Sequence, residues 1–271
     1  MRFSGDVALV TGSGKGFGRA IAMKLASEGA KTALIARTLS DIDAVADEIR
    51  AAGGIALPIV ADVTNAADVE RSILETETAF GPITQFVNNA GVGWPYGPVG
   101  GMDVSKWWEA QHLHQLAPML YLSRLLPKMS AAKRGRVVVV SAKASHLSVG
   151  GMSAYITGKT AQVRIVNVAA LEVKDAGVAL FAIDPGFVVT SLARETMTNP
   201  EAKVHLAGMV ERLSQVADKD FSAELDACAN RVANLLSGKY DALTGGYFEI
   251  PDDIDAALAA KLAEKQVEMG A

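Results

Sequence analysis

Two residues one helical turn apart carry the most pointed chemistry in the chain. Tyr155 and Lys159 stand four positions apart, so on a helix they share one face. An ammonium near a phenol stabilises the phenolate and lowers its pKa from about 10. A tyrosine so placed serves as an acid–base group near neutral pH. The spacing is common by itself, so its meaning depends on what accompanies it.

The accompaniment begins at the other end of the chain. Val7 to Val10 is an apolar run that stops in a glycine-rich turn, Thr11-Gly12-Ser13-Gly14-Lys15-Gly16-Phe17-Gly18. A helical pattern follows, with Phe17, Ile21 and Leu25 on one face and Gly29 at its end. Strand, glycine turn and helix form the context in which such glycines mean a dinucleotide site. Gly12 permits the tight turn, Gly16 lets the backbone approach a pyrophosphate, and Gly18 lets helix and strand pack closely. The helix start offers free N–H groups and a positive dipole end to phosphates.

The second apolar strand, Lys31 to Ala36, decides the cofactor. An NAD site places an acid about 20 residues past the glycines for the ribose hydroxyls, whereas an arginine there suits the 2′-phosphate of NADP. This chain has Ala36 followed by Arg37, with Lys15 as a second cation in the glycine loop. The reading is NADP(H) over NAD(H). Farther on, Asp62 follows the third strand, where its carboxylate can accept from an adenine amino group.

These residues need a frame. Strand patterns at Ile55 to Val60, Thr84 to Val87 and Arg136 to Ser141 alternate with helical ones at Ser40 to Ala52, Ala66 to Phe80, Asp103 to Met129 and from Tyr155 onward. That alternation implies βαβ units in an α/β fold, with ligands at the carboxyl ends of parallel strands. Pro58 suggests an edge strand, the valines of 137–140 a central one. Pro118 predicts a kink or break in the long helix. The loop from Val92 to Met102 carries Trp94 and Tyr96, which either wall a substrate pocket or pin the loop down.

The chain has 271 residues, half of them hydrophobic, and a net charge of −4. No basic stripe points to nucleic acid. No charge-free apolar run approaches the length of a bilayer span. The lone Cys228 excludes an intramolecular disulfide. The first strand starts within six residues of Met1, which leaves no room for a leader ahead of it. The expectation is a cytoplasmic protein without membrane contact.

The motifs together resemble the short-chain dehydrogenase/reductase family. They are Thr11-Gly12-x-x-x-Gly16-x-Gly18, Asp62, Asn88-Asn89-Ala90-Gly91, Tyr155-x-x-x-Lys159 and Pro185-Gly186-Phe187-Val188-Val189-Thr190. The resemblance implies a Rossmann-type doubly wound sheet of about seven mainly parallel strands, the last of them matched by Thr244 to Ile250. It implies hydride transfer between nicotinamide and a carbonyl or secondary alcohol. Tyr155 is then the acid or base, and Lys159 binds the nicotinamide ribose and tunes it. Asn89 sits against the cofactor and helps hold the sheet. Val188 and Thr190 hold its carboxamide and phosphate side. Ser13, Phe17, Val63, Ala90, Gly91, Pro185 and Gly186 complete the implied cofactor wall, and Phe187 joins Trp94 and Tyr96 toward substrate. No metal is implied. A mobile lid is expected at about 191–219 of a single domain spanning 1–251, with a helical tail at 252–271. A homo-oligomer, dimer or tetramer, is expected on the helices carrying Trp107 and Tyr155.

Two catalytic positions depart from the family pattern. The family's serine lies thirteen residues before the tyrosine, and Ala142 stands there. Ser141 is its neighbour, but adjacent strand residues face opposite sides, so it serves only if the strand ends or bulges. Three readings stay open: a slow enzyme, a different donor, or an introduced alanine. A member with little turnover would be a nucleotide-binding sensor or partner. The family's helix asparagine is His114 here, read either as a proton relay to Lys159 or as a satisfied helix histidine. The tail pattern from Ile254 to Met269, with Ile254, Leu258, Leu262 and Val267 near one side, is expected to cover its own pocket or a neighbouring subunit.

Overall fold

In the computed structural model, strands β1 (Val7–Thr11), β2 (Lys31–Ala36), β3 (Ile55–Val60), β4 (Gln85–Asn88), β5 (Gly135–Val140), β6 (Val178–Ile183) and β7 (Tyr247–Phe248) form one sheet in the order β3-β2-β1-β4-β5-β6-β7. Every pairing is parallel. The structure describes residues 1–270, without the side chains of residues 265 and 267–270. β1, β4 and β6 are buried at every position, as strands with helices on both faces must be. β3, with Pro58, is the edge the proline predicted.

One face of the sheet carries α1 (Gly16–Ser27), α2 (Leu39–Ala51) and, from much later in the chain, α10 (Ser222–Leu235). Ile21, Leu25, Ile42, Val45 and Val232 enter that core. The other face carries α3 (Ala66–Phe80), α5 (Ala117–Ala132) and α6 (Ser153–Glu172), with Val69, Ile73, Tyr121, Leu125 and Val166 inward. Strands wind to one side from β1 and to the other from β4. The carboxyl ends of β1 and β4 therefore flank the switch point where such sheets bind ligands.

The long helix expected from Asp103 is interrupted. α4 (Val104–Gln111) passes into a π-helical turn at His112–Leu116, and α5 restarts at Ala117 with Pro118 in its first turn. A proline is tolerated there because it lacks an N–H that would be unpaired anyway. The expected lid segment is three short helices, α7 (Ser191–Thr198), α8 (Pro200–His205) and α9 (Ala207–Gln215). The tail helix α11 (Ile254–Gly270) packs Ile254 and Leu258 onto the α10 face of its own chain. Arg231 on α10 holds the carbonyls of Ile250 and Asp252 at 2.7 and 2.6 Å. Ile254 and Leu258 therefore pack on their own chain's core and not on the catalytic cleft, while Leu262 is exposed; the Val267 side chain lies outside the described residues.

Candidate active site

The glycine loop is tied to the end of β4 by a small knot. Thr11 Oγ1 accepts from the backbone N–H groups of Asn89 and Ala90 at 3.0 and 3.2 Å. Asn89 Nδ2 donates to the carbonyls of Thr11 and Gly12, both at 3.1 Å. Two glycines make the knot possible. Gly12 has φ +64°, and a Cβ on Gly18 would stand 2.2 Å from the Gly12 carbonyl oxygen and 2.5 Å from Asn89 Nδ2. α1 starts with no side-chain cap and no acid in its first turn. Its free N–H groups thus face the loop, as anion binding requires.

Beyond the knot opens a cavity of about 1040 Å³. One end is lined by Gly12, Lys15, Gly16, Phe17, Arg37, Asp62 and Val63, the middle by Asn89, Ala90 and Gly91. At the other end stand Ser141, Ala142, Tyr155, Lys159, Pro185, Gly186, Phe187, Val188 and Thr190. The cleft suits a dinucleotide lying across the switch point: glycines where a side chain would block it, a helix start for phosphates, and cations at the ribose end. Asp62 is fixed there by Thr64, whose N–H and hydroxyl bond Oδ1 at 2.9 and 2.7 Å. Arg37 is exposed and makes no ion pair among the described residues. Lys15 is different, since its Nζ lies 2.8 Å from Asp41 Oδ2. Among the described residues no cluster of His, Cys, Asp and Glu is arranged to hold a metal.

Three expected contacts turn their hydroxyls to the scaffold. Ser13 is fully buried, its hydroxyl directed at the Ile35 carbonyl rather than the cleft. Tyr96 is 4% exposed, and its hydroxyl lies 2.7 Å from Thr196 Oγ1 on α7. It pins the loop to the lid helices while Trp94 and Phe187 reach the cavity. Ser141 extends the β5 ladder, its N–H donating to Ile183 O, and its hydroxyl donates to the Lys159 carbonyl at 2.9 Å. That hydroxyl fastens α6 to the sheet, and only the methyl of Ala142 faces the position the family gives to serine.

The charge state of the pair also differs from the sequence expectation. Lys159 is 4% exposed, and burial draws its pKa down from 10.5 to about 7, with the Asp184 carboxylate opposing. Its Nζ donates to Val140 O at 2.8 Å and to Gln162 Oε1 at 3.2 Å, and sits 5.8 Å from the Tyr155 ring centre. Burial, with the negative charge of Asp184, raises the Tyr155 phenol instead of lowering it. The reason is desolvation: a lysine that itself resists charging is a weak stabiliser of a phenolate.

His114 is fully buried in the π-helical turn, edge-on to Tyr155 at 5.8 Å between ring centres. Its Nε2 lies 3.0 Å from Val92 O. A carbonyl only accepts, so Nε2 carries the proton and Nδ1 presents a bare lone pair. Burial, then the charge of Lys159, lowers its pKa to about 3. Nδ1 has no hydrogen-bond partner, and neither do Gln162 Nε2 or either end of the Asn88 amide. A Cβ on Gly91 would lie 3.5 Å from Lys159 Nζ and 3.8 Å from His114 Nδ1, so both groups converge on that glycine.

Sequence reasoning passed over Gln162 and Asp184. Gln162 carried no motif signal. Asp184 did, as a carboxylate ending a wholly apolar strand directly before Pro185-Gly186, at the sheet end where ligands bind.

A family profile described as short chain dehydrogenase matches residues 6–201. The short chain dehydrogenase MYCFIDRAFT_6125 of Pseudocercospora fijiensis is 30% identical over 98% of this chain and 85% of its own. A metagenomic short-chain oxidoreductase solved with NADP is 31% identical, covering 88% of this chain and 92% of its own, at TM-score 0.72. An NAD⁺-bound xylitol dehydrogenase is 25% identical, covering 92% and 99%, at TM-score 0.79. With the glycine knot, the switch-point cleft and the Tyr155–Lys159 pair in place, the chain belongs to the short-chain dehydrogenase/reductase family and is an NAD(P)-dependent oxidoreductase.

Proposed function

We propose that the protein is an NADP(H)-dependent carbonyl reductase or alcohol dehydrogenase acting on a small, mainly apolar substrate. The observation that carries the reading is the single cleft that joins Arg37, beside Ala36, to Tyr155 and Lys159. Arg37 receives the 2′-phosphate and the first turn of α1 the pyrophosphate. The bound nicotinamide supplies or accepts the hydride. Tyr155 gives its phenolic proton to the carbonyl oxygen in reduction and takes it back in oxidation. Lys159 holds the nicotinamide ribose. His114 stays neutral, and its open Nδ1 beside Gly91 accepts a hydrogen bond in the proton relay to Lys159. Trp94, Phe187, Leu147, Met152 and Met209 give the substrate end its apolar wall.

The assembly reading is a homo-oligomer, a dimer or tetramer in the cytoplasm. Val104, Trp108, Leu116 and Met119 around α4 and α5, with Val168 and Leu171 on α6, leave large apolar side chains exposed on the faces that would meet. No helix among the described residues is long and apolar enough to cross a membrane. A second reading, a nucleotide-binding partner protein with little turnover, is favoured by one observation: Ala142 offers no hydroxyl and that of Ser141 is engaged. Titration with NADPH and NADH beside a turnover assay on a broad carbonyl panel separates the two. Binding without turnover on any member supports the second.

A further inference from the structure

The methyl of Ala142 leaves the reacting oxygen without the donor that the family's serine gives, and removing one such donor costs about 100- to 1000-fold in rate. Ser141 does not replace it, because its hydroxyl is spent on the Lys159 carbonyl. Among the polar side chains lining the cavity, which include Thr190, Ser191 and Thr196, Asp184 is the one bonded to the residue next to Ala142. Asp184 follows the end of β6, half-buried, on the wall shared by Ala142 and Tyr155. Its Oδ1 accepts the N–H of Lys143, the residue after Ala142, at 3.0 Å. That bond fixes the group next to the place the serine would fill.

We propose that the Asp184 carboxyl, in its protonated form, donates to the substrate oxygen the hydrogen bond that the Ala142 methyl cannot make. This rests on the carbonyl-reductase reading above. Asp184 keeps its proton; the proton that ends on the product alcohol comes from the Tyr155 phenol, and the carbonyl carbon receives the hydride. The carboxyl donates only below its midpoint, where the charge that acts on Lys159 and Tyr155 is gone. Burial raises its pKa, with Glu249 adding to the rise and backbone N–H groups and Lys143 opposing it. The other titratable groups within its field are Tyr155, Lys159, Cys228 and Tyr247. Negative charge growing on the substrate oxygen during reduction favours the protonated acid further.

The test is single-turnover reduction of the best carbonyl in a panel by NADPH, across pH, in the parent, Asp184→Asn, Asp184→Ala, and Asp184→Ala combined with Ala142→Ser. The parent rate should rise as pH falls through the midpoint of Asp184. In Asp184→Asn, which keeps a donor and the backbone acceptor, that rise should vanish. Asp184→Ala should slow hydride transfer by about 100-fold, within the range for one lost donor, while NADPH still binds. Adding Ala142→Ser should recover most of the loss, since the serine restores the donor from the neighbouring position. In the cofactor-free protein, carbon-detected NMR titration of the Asp184 carboxyl should give a midpoint above that of an ordinary aspartate. An Asp184→Ala variant as fast as the parent overturns the proposal. So does a loss that the serine does not rescue, or a carboxyl midpoint at or below the ordinary value. If the parent and Tyr155→Phe are equally inactive, the function reading has failed; the NMR midpoint still decides whether Asp184 favours its protonated form.

Discussion

Cofactor choice turns on two cations of unequal availability. Arg37 is exposed and unpaired among the described residues, whereas Lys15 already lies 2.8 Å from Asp41. Counting both as free overstates the charge available to a 2′-phosphate, because Asp41 cancels Lys15 until the lysine changes partner. Two unit charges about 4 Å apart attract by about 1 kcal/mol in water and about 4 kcal/mol beside a low-dielectric wall. Arg37 stands on the solvent side, so the lower part of that range applies. Arg37→Ala should therefore weaken NADPH about 5- to 30-fold and change NADH by less than about threefold. Arg37→Asp should go further and reverse much of the preference, since an acid repels the phosphate and accepts from the ribose hydroxyl. Asp41→Asn should tighten NADPH a few-fold by freeing Lys15. The assay is fluorescence titration of both nucleotides at two salt concentrations, because screening should shrink each effect. Equal affinities of the parent for NADPH and NADH, or an Arg37→Ala variant that weakens both alike, would refute the argument.

Three further outcomes follow from the geometry. Gly18→Ala should lower the melting temperature and abolish dinucleotide binding, because its Cβ meets the Gly12 carbonyl at 2.2 Å inside the knot; a thermal melt beside NADPH titration checks both. Gln162→Leu should remove one of the two acceptors of the Lys159 ammonium, favour the neutral amine, and move the lysine limb of the kcat profile to lower pH, while Gln162→Glu should move it higher. His114 gives a stability signature. Its folded pKa of about 3 lies below its ordinary 6.5, so between those values the unfolded chain binds the extra proton. That contribution lowers stability as pH falls from 6.5 toward 3, by at most about 1.4 kcal/mol per pH unit. Urea melts of His114→Asn should show a shallower loss than the parent across that window, and an equal slope would contradict the buried neutral ring.

Much of this was legible in the residues. Apolar runs, glycine turns and helical periodicity named the first five of the seven strands nearly to the residue and put Pro58 at the edge; β6, Val178–Ile183, was passed over although it is wholly apolar. The short β7, only Tyr247–Phe248, was read too long, as Thr244 to Ile250, because those bounds came from the family match and not from an apolar run. The π-helical turn showed only as a proline, because which side chain fills such a turn depends on packing against α6. Hydroxyl direction was equally hidden. Whether Ser141, Ser13 and Tyr96 serve the cleft or the scaffold is set by partners 18, 22 and 100 residues away. The desolvation of Tyr155 was hidden for the same reason. Helical spacing announces the lysine, but desolvation depends on the whole wall around it.

The account stands on proton transfer by Tyr155 in the cleft that Arg37 shares. Its most direct test is single-turnover hydride transfer from NADPH to the best carbonyl in a panel, comparing the parent with Tyr155→Phe. The expected result is a measurable rate in the parent and a loss of at least about 100-fold in the variant, with NADPH affinity nearly unchanged because one hydroxyl and little volume are removed. A variant that transfers hydride as fast as the parent, or a parent that binds NADPH and reduces no carbonyl, would contradict it.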